Sequence, residues 1–332
     1  MILSLLKLGV QMGASDIHLA SQTLPMARIN AELVPLSSNA TPDTEIERFI
    51  KNLLDDEQLK TFFHNGDFDA SYHEPGIGSF RINIYRSSGK IALACRFIHQ
   101  VIPTIESLCL PPVVNALASY TSGLILVTGP TSSGKTTTLA AMIDYINSQR
   151  SFHIITLEDP IEYIHQNKKS LISQREIGRD TISFQSALRA ALRQDPNVIM
   201  VGEMRDLETI STAITAAETG HLVLATLHTG DAVQTLARII DVFPPNQQQQ
   251  IQVQLSHSIV GIISQRLLPR KDKKGLIPAV EIMHSTPAIK NMIREGKFHQ
   301  IYTAMQTGKI HGMQTMESSL QKLIQDNLID GD

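Results

Sequence analysis

The feature that most constrains this chain is a glycine-rich segment of eight residues that directly follows a short apolar run. The apolar run is Leu124-Ile125-Leu126-Val127, and the segment is Gly129-Pro130-Thr131-Ser132-Ser133-Gly134-Lys135-Thr136. A buried strand that ends in such a turn presents backbone N–H groups to an anion, and Lys135 adds a cation. The helix predicted for 137–146 turns its positive end toward the same place. The pattern therefore predicts a loop that binds a nucleoside triphosphate with Mg²⁺, rather than an ordinary Gly/Ser-rich turn.

Composition narrows the class of protein further. A chain of 332 residues that is 42% apolar is long enough for two domains with real cores. The net charge of −3 and the pI near 6.5 give no electrostatic argument for a nucleic-acid partner, so none is expected. Cys95 and Cys109 form no C-x-x-C pair and no histidines have zinc spacing, so neither a disulfide scaffold nor a zinc site is predicted.

The location of the protein follows from its apolar segments. No apolar run approaches the ~20 residues that span a bilayer, and residues 1–10 lack the cleavage signature of a secretory signal. We therefore expect no transmembrane segment and a cytoplasmic protein that docks peripherally on membrane machinery.

The first hundred residues differ from the rest of the chain in their pattern of predicted helices and strands. We predict a short helix over 1–12, strands around 17–19 and 26–29, and one helix from about 44 to 63. Prolines interrupt the segment from Val101 to Pro112, which is typical of a connector. The predicted division is an N-terminal domain over 1–100, a linker over 101–115, and a second domain over 116–332.

Two runs with period two predict a hairpin in the first domain. If Ser88-Gly89 is the turn, Phe80 faces Phe97 and Arg81 faces Arg96. Two like charges across a strand pair are unfavourable, so an anion should lie against them. Asp67, Asp69 or Glu74 could neutralise them internally. Alternatively, the arginines could reach the triphosphate of another subunit as fingers supplied in trans, which requires an oligomer.

The second domain alternates apolar strands with helices, which is typical of a mostly parallel sheet covered on both faces. The strands are predicted at 124–127, 154–157, 198–201 and 222–227, and the helices near 136–147, 184–194, 207–219 and 232–242. Ligands of such sheets bind at the carboxyl ends of the strands. Polar residues cluster there, namely Glu158, Asp159, Glu162, Glu203 and His228.

Each of these polar residues also has a structural interpretation. Glu203 could pair with Arg205, although a carboxylate just past a buried strand more often organises the metal or the attacking water. Glu158, Asp159 and Glu162 all follow the same strand, so spacing cannot select the general base among them. His228 could end its strand as a hydrogen-bonded histidine or contact the terminal phosphate.

Four segments together resemble the Walker A, Asp box, Walker B and His box motifs of secretion-type traffic ATPases. They are 129–136, 156–163, 201–209 and 219–229, and the resemblance extends from Gly13 to Thr315. Within that superfamily the chain is similar to PilT-type retraction ATPases of type IV pili. The first domain begins almost at Met1, a four-cysteine zinc insertion is absent, and 288–295 resembles the retraction motif.

The resemblance implies a hexamer in which each chain has a PAS-like N-terminal α+β domain and a RecA-like α/β domain with a helical C-terminal part from about residue 270. It implies ATP and Mg²⁺ as ligands, with Lys135 and the loop 129–136 on the phosphates and Thr137 beside them. By the same resemblance Glu162 is the catalytic glutamate, and Thr136 and Glu203 hold Mg²⁺. His221 and His228 are the His-box pair, and Arg81 and Arg96 approach the nucleotide.

Two positions depart from the family pattern. Ser132 stands where the loop usually has glycine, and Lys290 replaces the first arginine of the retraction motif. We infer loss of function from neither change.

The expected function is an ATP-driven motor for pilus retraction that acts on a platform protein at the cytoplasmic face of the bacterial inner membrane. In this hypothesis the first domain closes over nucleotide as the power stroke. The alternatives are a pilus-assembly or type II secretion ATPase, a nucleic-acid translocase, and a nucleotide switch that does not hydrolyse.

Overall fold

The computed structural model describes residues 1–29, 32–98, 101–272 and 275–331. The chain forms two compact units, Met1–Val101 and Ile102–Asp332. Residue 100, where the sequence predicts the first domain to end, lies outside the described residues. Most of the predicted linker packs onto the second unit, where Ile105 and Leu110 are buried in a core cluster. Within the described ranges, no helix combines the length and apolarity needed to span a bilayer.

The first unit is an antiparallel sheet with three helices. Its elements are α1 (Ile2–Gln11), β1 (Asp16–Ala20), β2 (Met26–Ile29), β3 (Glu32–Pro35), α2 (Asp43–Leu53), α3 (Asp56–Asn65), β4 (Asp67–Glu74), β5 (Gly78–Ser87) and β6 (Lys90–Ile98). The sheet order is β3-β2-β1-β6-β5-β4, with every neighbouring pair antiparallel. The predicted α+β class of this unit is confirmed.

The hairpin of β5 and β6 has the predicted register. Phe80 pairs with Phe97, Ile82 with Cys95, and Arg81 with Arg96. Residues 88 and 89 both have positive φ, at 53° and 78°, as a two-residue hairpin turn requires. Phe80, Ile82 and Cys95 are fully buried, so one face of the hairpin forms core.

The prediction of a single helix over 44–63 is wrong, because the helical conformation is interrupted at Leu54 and Asp55. Leu54 is extended, and the Asp55 carboxylate accepts hydrogen bonds from the backbone N–H groups of Glu57 and Gln58. Gln58 Oε1 accepts a hydrogen bond from the Asp55 backbone N–H at 3.1 Å, which completes a capping box. A new helix start therefore interrupts a continuous apolar periodicity.

The second unit is a mostly parallel sheet covered by helices. Its elements are α4 (Val113–Ala118), β7 (Gly123–Thr128), α5 (Lys135–Gln149), β8 (His153–Glu158), β9 (Leu171–Glu176), α6 (Phe184–Ala191), β10 (Val198–Val201), α7 (Leu207–Glu218), β11 (Leu222–Leu227), α8 (Ala232–Asp241), α9 (Pro245–Ser258), β12 (Ile259–Pro269), β13 (Leu276–His284), α10 (Pro287–Arg294), α11 (His299–Thr307) and α12 (Met316–Gln325). The strand order is β13-β12-β7-β11-β10-β8-β9, and only β13 is antiparallel to its neighbour. The predicted α/β class is confirmed.

Burial explains why the strands of this sheet could be predicted from their apolar sequences. Strands β7, β10 and β11 are buried at every position, since helices cover both faces of the sheet. The part predicted as helical from about residue 270 instead begins with strand β13. Helices α10, α11 and α12 follow it.

Candidate active site

The predicted phosphate loop, residues 129–134, joins the end of β7 to the start of α5. Gly129 and Gly134 have φ of 147° and 85°, a backbone region that side chains rarely tolerate. The buried Lys135 ammonium donates hydrogen bonds to the carbonyl oxygens of Gly129 (2.9 Å) and Pro130 (2.8 Å). The loop is thus folded around the side chain that the sequence places on the phosphates.

Ser132 has a left-handed conformation in this loop, with φ of 62°. Its side chain is exposed to solvent. A glycine adopts this conformation without the steric cost that a Cβ carries. The departure at this position therefore places mild backbone strain in the loop without filling its interior.

The loop fits an anion. The first turn of α5 leaves backbone N–H groups that a helix cannot satisfy itself. Within the described part of the chain, the buried Ser133 hydroxyl has no hydrogen-bond partner. Burial lowers the pKa of Lys135, while the nearby carboxylates of Glu203 and Glu162 oppose that shift. A cation with two acidic neighbours therefore lies beside unsatisfied donors.

A cavity of about 230 Å³ opens beside the first turn of α5. Thr137 and Gln265 line it together with apolar side chains of Leu108, Leu267 and Leu276. The Thr137 hydroxyl, predicted to lie at the nucleotide, is 3.0 Å from the hydroxyl of Tyr163. The cavity provides an apolar surface next to the phosphate loop.

Three acids at the end of β8 and just after it have different environments. Glu158 is buried, and its Oε1 accepts hydrogen bonds from Thr156 Oγ1 (2.6 Å) and Gln174 Nε2 (3.0 Å). Burial raises its pKa, against the effect of those two donors. Asp159 is exposed, whereas Glu162 is half-buried and near enough to act on Lys135. These environments favour Glu162 as the base, a role that stays a prediction.

Glu203 follows β10 and contacts the side chains of Arg205 and His228. Its Oε1 lies 2.6 Å from Arg205 Nε and 3.0 Å from His228 Nε2. This is the pairing with Arg205 that the sequence left open for Glu203, and the hydrogen bond that Arg205 donates to the carboxylate raises the pKa of Arg205. A Cβ on Gly202 would lie 3.0 Å from the Leu157 carbonyl oxygen, so the end of β10 packs tightly against β8.

The two predicted His-box residues lie at opposite ends of β11. His228 follows the carboxyl end, on the same side as the phosphate loop after Thr128. His221 precedes Leu222, and its carbonyl accepts a hydrogen bond from Gly123 at the start of β7. Six strand residues separate the two by roughly 20 Å. Within one chain, the structure does not bring His221 to the site.

An oxygen donor set for Mg²⁺ is available at the loop. The Thr136 hydroxyl belongs to the first turn of α5, and the Glu203 carboxylate follows β10. Hydroxyl, carboxylate and phosphate oxygens are the ligands that Mg²⁺ prefers, usually with few protein ligands. Across the described ranges, no group of three or more His, Cys, Asp or Glu residues could hold a metal. The residues present fit a metal shared with the substrate phosphates.

Arg81 and Arg96 of the first unit have internal acidic partners. Arg81 Nη2 lies 3.7 Å from Asp69 Oδ2, and Arg96 Nε lies 2.9 Å from Asp16 Oδ1. Although burial of the Asp16 carboxylate opposes the shift, hydrogen bonds from Ser15 and Arg96 hold its pKa below the usual value. The sequence identified Asp69 but missed Asp16, which β1 brings beside β6 from 80 residues away. The Arg96 side chain is still 59% exposed.

Residues 112–329 match the family described as type II/IV secretion system protein. The type IV pilus retractation ATPase PilT of Pseudomonas aeruginosa is 44% identical over 328 residues, which are 99% of this chain and 95% of that protein. The twitching motility protein of Neisseria gonorrhoeae is 44% identical over 329 residues, 99% of this chain and 88% of that protein.

A solved structure has a similar fold. The crystal structure of the pilus retraction motor PilT with bound ADP has a TM-score of 0.91 and 47% identity to this chain. The match covers 99% of this chain and 94% of that chain. The similarity therefore includes both units.

Proposed function

This chain belongs to the type II/IV secretion system protein family, and we propose that it is an ATP-hydrolysing motor that retracts type IV pili. Membership of this family, together with the similarity to the PilT ATPase, supports ATPase activity. Retraction is supported by the 44% identity to the PilT protein of Pseudomonas aeruginosa over 99% of the chain. Two of the alternatives, pilus assembly and type II secretion, share the chemistry and differ in the direction and object of the work.

The observation that supports hydrolysis is the buried Lys135 ammonium, whose pKa responds to the charges of the nearby Glu203 and Glu162 carboxylates. ATP phosphates bound by the loop N–H groups would displace the Gly129 and Pro130 carbonyls as partners of Lys135. Lys135 would then neutralise charge on the phosphates. The purine and ribose would have the apolar cavity beside α5 available to them.

Glu162 is the residue that we assign to the attacking water. Glu162 is half-buried, and its negative charge opposes the lowering of the Lys135 pKa, which supports a place for it beside the nucleotide phosphates, where a carboxylate can orient the attacking water. Glu158 is less suited, because burial raises its pKa and internal donors occupy its Oε1.

Thr136 and Glu203 would hold Mg²⁺, which supplies charge neutralisation of the phosphates when it is bound. Arg205 and His228 both contact Glu203 Oε1, so a metal at that oxygen would compete with them. His228, released from Glu203, would be able to donate a hydrogen bond to the terminal phosphate.

The motor is proposed to be a homo-hexamer in which Arg81 and Arg96 of one chain reach the nucleotide of its neighbour. Arg81 is paired with Asp69 and Arg96 with Asp16. Each arginine would exchange its carboxylate partner for phosphate oxygens when the nucleotide binds. The hexamer would act peripherally on a platform protein at the cytoplasmic face of the bacterial inner membrane.

The test combines turnover with a cellular assay. The purified chain should release phosphate over many turnovers with MgATP, and Lys135→Ala should abolish that release. In a retraction-deficient strain, the chain should restore pilus retraction, with Lys135→Ala as the negative control. Restored pilus extension instead would favour an assembly ATPase, and nucleotide binding without phosphate release would favour a nucleotide switch.

A further inference from the structure

Gln265 links the phosphate loop to helix α5 through one buried side-chain amide. It lies on β12, which pairs with β7, and only 3% of its surface is exposed. Its Nε2 donates a hydrogen bond to the Ser133 carbonyl oxygen at 2.7 Å. Its Oε1 accepts a hydrogen bond from Thr138 Oγ1 at 2.8 Å. The amide therefore joins the end of the loop to the first turn of α5.

The glycines at both ends of the loop are in close contact with the same residue. A Cβ on Gly129 would lie 2.3 Å from the Gln265 backbone oxygen. A Cβ on Gly134 would lie 2.8 Å from the Gln265 Nε2. Both distances are too short for a real Cβ, so the loop is seated directly against β12 and its glycines make that approach possible.

The bond to Ser133 sets the direction of the next amide. The Ser133–Gly134 peptide is trans, so its carbonyl and its N–H point in opposite directions. Since the Ser133 carbonyl points at Gln265 Nε2, the Gly134 N–H points away from that side-chain amide. We propose that Gln265 is a positioning residue that aims the Gly134 N–H at the nucleotide phosphates. This inference rests on the proposed function.

The effect of losing Gln265 should appear in nucleotide affinity rather than in the chemical step. Gln265 acts through a backbone donor that contacts phosphate in both the ground state and the transition state, and uniform contacts of that kind change KM more than kcat. Loss of the amide also leaves the buried Ser133 carbonyl unpaired. We expect Gln265→Leu to weaken ADP binding by about tenfold, with kcat within about threefold of the parent.

The experiment measures ADP affinity without turnover, ATP turnover, and thermal unfolding. Gln314→Leu is the matched control, because Gln314 Nε2 also donates to a backbone carbonyl, that of Val280, at 2.6 Å and away from the loop. Gln265→Leu should raise the dissociation constant for ADP and KM together, while Gln314→Leu should leave both unchanged. Equal ADP affinity for the two variants would overturn the proposal, as would a loss confined to kcat.

A second pair of variants keeps the test decisive if Gln265→Leu does not fold. Thr138→Val removes the donor that holds Gln265 Oε1, and Thr138→Ser keeps it. ADP affinity should fall in Thr138→Val and recover in Thr138→Ser, and no difference between them would contradict the role of Gln265. If the unchanged chain bound no ADP or ATP, the proposed function would fail first.

Discussion

His228 Nε2 lies 3.0 Å from Glu203 Oε1, which joins the residue after β11 to the segment after β10. Arg205 Nε contacts the same carboxylate oxygen at 2.6 Å. Thr226 Oγ1 also donates a hydrogen bond to the Gly202 carbonyl and ties the two strand ends together. One acidic side chain thus connects two neighbouring motifs, and both of these contacts are made by its Oε1.

Glu203→Gln should remove turnover while nucleotide binding persists. The amide has no negative charge for Mg²⁺, but the loop that binds phosphate is untouched. We expect phosphate release to fall by about 100-fold or more, with ADP affinity changed little. Glu208→Gln is the control, because Glu208 is an exposed carboxylate paired with Arg189 at 3.4 Å. Full turnover in Glu203→Gln would remove this residue from the catalytic site.

Glu162→Gln should reduce kcat by at least about 100-fold, the usual contribution of a general base. Glu158→Gln tests the neighbouring acid under the same conditions. A glutamine at that position keeps the oxygen that accepts from Thr156 and Gln174, so kcat should stay close to the parent value. Steady-state phosphate release at saturating MgATP measures both. The opposite pattern would make Glu158 the base.

Glu158 should also make stability depend on pH. Burial raises its pKa in the folded chain above the ordinary 4.5, so the folded state retains the proton where the unfolded state has lost it. Its contribution to stability is therefore present below 4.5 and is lost as pH rises through the folded pKa. In Glu158→Gln the decline in unfolding temperature between these pH values should be smaller. Glu208→Gln should retain the slope of the parent.

Ser132→Gly should relieve strain in the phosphate loop. Residue 132 has φ of 62°, and glycine adopts that conformation without the cost of a Cβ. The gain is reduced by the greater freedom of glycine in the unfolded chain, so we expect up to about 1 kcal/mol of added stability. Ser88→Gly, at φ of 53° in the hairpin turn, is a control that should add stability without altering KM. Denaturant unfolding and KM for ATP measure the two effects, and a destabilised Ser132→Gly would contradict the prediction.

The sequence identified those parts of the fold that depend on burial and local turn chemistry. Strands β7, β10 and β11 are buried on both faces and read as continuous apolar runs. The hairpin register followed from alternation around a Ser-Gly turn. Strand β4 was missed because its alternating positions are half-buried or exposed, which leaves only a weak apolar pattern.

The contacts that hold the site could not be predicted, because they join residues that are distant in sequence. Gln265 reaches Ser133 across 132 positions, and no local motif marks it. The carboxyl-end rule grouped Glu162, Glu203 and His228 correctly at one edge of the sheet. The same rule does not predict where His221 lies. The strand topology places it at the other end of β11.

Mixing inactive chains tests whether the arginines act in trans. We expect Lys135→Ala and Arg96→Gln each to be inactive alone, the latter because loss of a finger typically costs roughly 10³-fold or more in turnover. In a mixed ring, an Arg96→Gln chain supplies an intact loop and a Lys135→Ala neighbour supplies an intact arginine. Up to about a quarter of the head-to-tail interfaces in an equal mixture would be complete, so that share of phosphate release should return.

The control mixture for the trans test is Lys135→Ala with Glu162→Gln. Both substitutions damage the same half of the proposed site, so no interface in that mixture is complete and turnover should stay absent. Arg48→Gln, which changes an exposed arginine of the first unit paired with Glu45, should be active alone. Size-exclusion chromatography with two differently tagged chains establishes that mixed oligomers form. If such oligomers form and the Lys135→Ala and Arg96→Gln mixture still releases no phosphate, Arg96 does not complete a neighbour's site, and its bond to Asp16 is then its structural role.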